Sequence, residues 1–139
     1  MATLIRPEIS AKNKYYIDKH RYYELKHFCL QYGEWKKAYA SCNESIIYAS
    51  SIEQKTHSNV PSDLTAKYAL KRAYYAGRIK LVEKAAMEAD EFLYDYIIKG
   101  VTEGLSYTYM KTRLNIPCGR DMYYDRYRKF FWLLSNSRH

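Results

Sequence analysis

The sequence has no apolar run that approaches the ~18 residues of a membrane-spanning helix. Its first residues, MATLIRPEISAKNK, also lack the apolar block of a secretory signal peptide. Both absences argue against a membrane partner. They predict a chain that works in the cytoplasm.

Cysteine is scarce and widely spaced, at Cys29, Cys42 and Cys118. An odd number at wide spacing does not fit a disulfide framework and predicts reduced, partly buried thiols. A structural zinc site needs closely spaced ligand pairs, and the sequence contains neither a CxxC nor an HxxxH pair. We therefore predict no metal and no other cofactor.

Recurrent catalytic motifs are also missing. The five glycines form no phosphate-binding loop, the four histidines are scattered, and no HExxH pattern occurs. A tyrosine recombinase surrounds its nucleophile with several Arg and His, and this chain is too short to build such a site. The sequence therefore predicts a protein that acts by binding and is not an enzyme.

Positive charge and tyrosine are both in excess. The chain has 23 Lys plus Arg against 15 Asp plus Glu, a net charge of +8, and 17 Tyr. A basic balance favours a polyanionic partner, of which nucleic acid is the commonest. Tyrosine rings at helical spacing predict core residues whose hydroxyls lie at the wet edges of amphipathic helices.

Apolar residues recur at helical spacing through most of the chain, and no segment alternates as a strand does. Residues 1–47 predict a polar leader and two short helices that meet near Gly33, a segment suited to dimerisation or partner contact. Residues 48–62, YASSIEQKTHSNVPS, predict a polar linker. Residues 63–139 predict a long basic helix followed by shorter ones. The predicted fold is an all-α helical bundle with a long central helix.

Capping residues divide the last part into helices. Ser62 is placed to cap the long helix and Asp90 to cap EFLYDYIIKG. Ser106 starts YTYMKTRLN, and the PCG stretch that ends at Gly119 separates it from a last helix. The positions expected to form the core of this part are Phe92, Leu93, Tyr96, Ile97, Met110, Leu114, Ile116, Tyr123, Tyr127, Phe130 and Leu134.

This order of helices predicts a C-terminal helix-turn-helix, with a support, a helix across the DNA backbone and a recognition helix in the major groove. From residue 101 onward, seven Lys or Arg stand against three Asp or Glu. The positions expected to read bases are Arg120, Asp121, Tyr124, Asp125 and Arg128. The positions expected to bind phosphate are Ser106, Tyr107, Lys111, Arg113, Arg126 and Lys129.

The side-chain chemistry of these positions suits duplex DNA. Arginine forms bidentate contacts with guanine, and tyrosine bonds phosphate or touches a thymine methyl. Asp121 and Asp125 have two roles open to them: they accept from cytosine N4, or they orient Arg120 and Arg128. The spacing between Ile116 and the last helix predicts a connection one or two residues longer than is usual for this motif.

The chain resembles the RinA/ArpU-type phage transcriptional regulators, whose C-terminal region is like the helix-turn-helix of sigma-factor region 4. The resemblance rests on the order of YYELKHFCLQYGEWKKAY, a polar linker, a long basic helix and LSYTYMKTRLNIPCGRDMYYDRYRKFF. It implies a phage or prophage protein in a bacterial cell that binds promoter DNA. Because one short recognition helix buries little surface, we also expect a homodimer that binds two half-sites. It further implies activation of late genes through RNA polymerase.

Two other classes of protein remain open from the residues alone. One is a protein-interaction module, such as a phage-encoded inhibitor of a host factor, which would use an aromatic surface. The other is a protein that initiates DNA packaging, like a small terminase subunit, which would form a large ring. The first would leave DNA unbound at low salt, and light scattering would reveal the second.

Overall fold

The computed structural model describes residues 13–55 and 63–138, and all regular secondary structure in these ranges is α-helical. This confirms the predicted all-α class. The described helices are α1 (Lys19–Leu30), α2 (Tyr32–Lys55), α3 (Asp63–Ala89), α4 (Tyr94–Glu103), α5 (Tyr107–Arg113) and α6 (Arg120–Ser137).

The described residues form two compact units. The first comprises residues 13–31 and 81–138, and the second comprises residues 32–55 and 63–80. In the first unit α1, α4 and α6 all pack against one another. The predicted boundary after residue 47 is therefore not where the chain divides, because α1 belongs with the C-terminal helices.

The predicted linker is wrong for residues 48–55, which continue α2. Its serines lower helix propensity only slightly, and residues 48–60 contain neither Pro nor Gly to stop the helix. Ala49 is buried, so packing supports this part of α2. Residues 56–62, including the predicted cap Ser62, and residues 1–12 of the polar leader lie outside the described residues.

Local interactions define the ends of several helices. The Asp18 side chain accepts from the His20 N–H at 3.0 Å and caps α1. Gln31 separates α1 from α2, two residues before the predicted break at Gly33. Gly104 ends α4 with a φ of 70°, a left-handed conformation that glycine adopts without strain.

One predicted core residue is misplaced. Phe92 is 75 % exposed, although it was expected to be buried. The helix starts later than predicted, at Tyr94, so that Phe92 lies in the preceding turn. Asp90 closes that turn by accepting from the Leu93 N–H at 3.0 Å, and Leu93 is buried in its place.

Aromatic rings make up much of the core of the first unit. Tyr22 of α1 meets Phe131 of α6 edge to face, with ring centroids 5.1 Å apart. Its hydroxyl also lies 2.6 Å from that of Tyr127. Such pairs stabilise beyond the area that they bury. Of the predicted core, Leu93, Ile97, Met110, Ile116, Tyr123, Phe130 and Leu134 are all buried.

In the second unit, α2 and α3 contact each other through polar and cationic groups. Arg72 of α3 donates to the Asn43 side-chain oxygen at 3.0 Å. The guanidinium of Arg78 lies over the Trp35 ring, 5.7 Å from its centroid. Leu64 at the start of α3 is 49 % exposed.

We expect Gly100→Ala to destabilise the protein by about 1–3 kcal/mol, since the core cannot absorb the added carbon. A Cβ at Gly100 of α4 would lie 2.0 Å from the hydroxyl of Tyr123 on α6. Urea denaturation will measure the loss. Gly33→Ala is the control, because a Cβ there meets nothing within 4 Å, and it should not lower the stability.

The buried Tyr123 hydroxyl has no hydrogen-bond partner in the described part of the chain. Tyr123→Phe should therefore leave stability unchanged or raise it, because an unpaired buried hydroxyl is removed. It should also reduce the cost of Gly100→Ala in the double variant. If the stability changes of Gly100→Ala and Tyr123→Phe were strictly additive, residues 100 and 123 would not be in contact.

Candidate nucleic-acid interface

Helices α5 and α6 are joined by a tight connection at residues 114–119. Ser106 caps α5 by accepting from the Tyr109 N–H at 3.1 Å. After α5, the N–H groups of Leu114 and Ile116 both donate to the Met110 carbonyl, at 3.1 and 3.2 Å. The connection has six residues, against three or four in a standard helix-turn-helix.

Two side chains fix the angle between these helices. The Tyr107 hydroxyl donates to the Cys118 carbonyl at 2.7 Å and holds the connection against α5. Arg120 donates to the Thr108 hydroxyl at 3.2 Å, which ties the first turn of α6 to α5. Its guanidinium also lies 5.7 and 5.8 Å from the ring centroids of Tyr107 and Tyr124.

Helix α6 is buried or half-buried along most of its length, and its exposed residues lie at its two ends. Arg120, Asp121 and Met122 are exposed, but no residue from Tyr123 to Ser135 is. The cause is that α6 packs against both α1 and α4, so that two of its faces are covered. Of the predicted base readers, Arg120 and Asp121 therefore face solvent as expected.

Tyr124 was expected to face outward, and this prediction is wrong. Only 9 % of Tyr124 is exposed. Its ring lies against those of Tyr107 and Tyr123, with centroids 6.4 and 5.1 Å away. Tyr107 is also buried, and because its hydroxyl is used by Cys118, it is unsuited to the predicted phosphate contact.

The remaining positions on α6 are half-buried, and one is part of the fold. Arg126 binds Asp90 at 2.9 Å and also contacts Asp125. The hydrogen bond to Asp90 raises the pKa of Arg126 above its ordinary value. The Arg128 Nε is buried, with no hydrogen-bond partner in the described residues. Lys129 is half-buried. Arg126 therefore stabilises the first unit. Its guanidinium is already engaged by carboxylates, so the predicted contact with phosphate is not available to it.

The exposed basic residues lie on α5 and at the start of α6. Lys111 and Arg113 are exposed, as predicted, and so is Arg120. Thr108, which accepts from Arg120, is three residues before Lys111 and so shares a face of α5 with it. We call the set Lys111, Arg113, Arg120 and Asp121 the α5–α6 corner.

Thr108 was not identified from the sequence, because its role depends on where the connection returns the chain. Ser106 was predicted to bind phosphate, and its hydroxyl oxygen is used to cap α5. Lys111 also lies near the connection: burial and Asp90 raise the pKa of the Cys118 thiol, and Lys111 acts in the opposite direction.

No protein-family model, curated protein or solved structure matches this chain. Among the described residues, no helix is long and apolar enough to cross a bilayer. The same residues contain no cluster of three His, Cys, Asp or Glu suited to a metal ion.

We expect Arg126→Ala to destabilise the protein by about 1–3 kcal/mol, because it removes the partner of a mostly buried carboxylate. The Asp90 side chain is only 13 % exposed. Arg113→Ala removes the same charge from an exposed site and should change stability by less than about 0.5 kcal/mol. Urea denaturation will measure both, and equal effects would show that the ion pair contributes nothing.

Proposed function

We propose that this protein binds double-stranded DNA through the α5–α6 corner and acts as a transcriptional regulator of phage or prophage type. The observation that carries the proposal is the exposed first turn of α6 beside the exposed cations of α5. In helix-turn-helix proteins, the first residues of the recognition helix are those that contact base edges. The proposal therefore requires only that the N-terminal end of α6 be accessible to DNA.

Each residue of the corner has a role in this proposal. Arg120 binds a guanine edge, and because Thr108 and two tyrosine rings already order its side chain, it loses little entropy on binding. Lys111 and Arg113 bind backbone phosphates. Asp121 orients Arg120 or accepts from cytosine N4.

Reading by a single turn limits what one copy recognises. Because residues 123–135 are enclosed, one chain contacts few base pairs. Two copies on half-sites one helical turn apart would supply the missing affinity and specificity. The proposed regulator is therefore a homodimer, and contact with RNA polymerase would couple DNA binding to transcription.

The proposal is tested by DNA binding over a range of salt concentrations. The double variant Lys111→Ala/Arg113→Ala should bind more weakly than wild type, with the slope of log K against log salt reduced by about 2. Lys19→Ala/Lys37→Ala removes the same charge from exposed positions on α1 and α2 and is the control. Equal weakening by both double variants would overturn the role of the corner.

Sequence readout is tested by selecting bound fragments from random DNA. Wild type should recover a shared motif, and Arg120→Ala should lose discrimination at one position by about 1–3 kcal/mol while keeping its salt dependence. Absence of DNA binding by wild type at low salt would overturn the proposal, and capture of a host protein would then favour an interaction module.

A further inference from the structure

An exposed line of apolar residues runs along α3 in the second unit, beside the exposed Lys67 and Lys71. Ala66, Leu70, Ala73 and Gly77 are all exposed, and Leu70 is the most accessible of them, at 73 %. A Cβ at Gly77 would meet none of the described residues within 4 Å. The solvent face of a helix is normally polar. We call these four residues the α3 stripe.

The spacing of the stripe is that of a helix-pairing seam. Its residues follow one another at intervals of four, three and four, which is the a/d pattern of a coiled coil. They form a nearly straight line along about 17 Å of helix. A second helix can therefore lie along all four residues at once.

The second unit also has little core of its own. Every one of the largest fully buried side chains of the described chain belongs to the first unit. The second unit also exposes Tyr74 of α3, at 56 %, and Ile47 of α2, at 70 %. A pair of helices buries too little apolar surface to be well stabilised alone. A partner on the stripe would add the missing burial.

We propose that a second copy of this chain packs against the α3 stripe, with the two α3 helices antiparallel about a two-fold axis between residues 71 and 72. This pairing sets Leu70 of each copy opposite Ala73 of the other, and Ala66 opposite Gly77. Each large side chain thus meets a small one, and the backbones approach closely at the glycine. The contact is isologous, as a closed dimer requires.

Charge favours the same arrangement. The face is acidic before the stripe, at Asp63, and basic after it, at Lys80, and both residues are exposed. Antiparallel packing brings the acidic end of one copy to the basic end of the other, whereas parallel packing brings like charges together. The helix dipoles also favour the antiparallel arrangement.

This inference goes beyond the proposed function and does not rest on DNA binding. It moves the expected dimer contact from residues 1–47 to α3. Because the stripe spans only about three turns, the contact is small, and we expect a dimer that dissociates on dilution.

The oligomeric state of the full chain without DNA tests the surface. Sedimentation from micromolar to near-millimolar concentration should show wild type passing from monomer to dimer. Leu70→Glu should weaken dimerisation by at least about thirtyfold, as for a central interface residue. The control is Ile47→Glu on α2, which places the same charge at an equally exposed apolar position and should dimerise as wild type does.

Disulfide formation tests the orientation and does not depend on Leu70→Glu retaining its fold. In a Cys118→Ser background, the Leu70→Cys and Ala73→Cys chains should cross-link with each other far more than with themselves. Preferential cross-linking of like chains would overturn the antiparallel pairing. The proposal that the α3 stripe forms the dimer contact would be wrong if wild type stayed monomeric at all concentrations. It would also be wrong if Leu70→Glu and Ile47→Glu lost the dimer equally.

Discussion

The packing of α6 against both α1 and α4 is the constraint on which the rest of the first unit depends. Tyr22 of α1 meets Phe131 of α6 edge to face and bonds the hydroxyl of Tyr127. On α4, Gly100 lets the Tyr123 hydroxyl approach so closely that a Cβ at this position would clash with it. Burial raises the pKa of Tyr127 well above its ordinary value, so this core stays uncharged. As a result, only the two ends of α6 and one side of it remain accessible to solvent.

That constraint divides the basic residues into two groups. Arg126 pairs with Asp90, and Arg138 pairs with Glu24, so both hold helices together. Lys111 and Arg113 face solvent and form no ion pair with another residue that the structure describes. The net charge of the chain therefore overstates the charge that is free to meet a polyanion, and the proposed DNA contact rests on the second group together with Arg120.

The two units differ in how their apolar residues are used. In the first unit they fill a core of interlocking rings, and in the second a continuous apolar line is left on the outside of α3. Helix formation needs no more than local propensity and some burial, so α2 and α3 form in either case. The α3 stripe is explained if it serves the association of two copies of the chain and not the folding of one.

The sequence by itself determined the all-α class and the start of α5, because a cap such as Ser106 acts within one turn of the chain. It also indicated which helices carry exposed charge, since Lys111 and Arg113 follow the amphipathic pattern of α5. Only the tertiary structure decided that Tyr124 is buried and that Phe92 is exposed. Those outcomes depend on which second and third helices cover a given face, and a one-dimensional pattern records only a single apolar stripe.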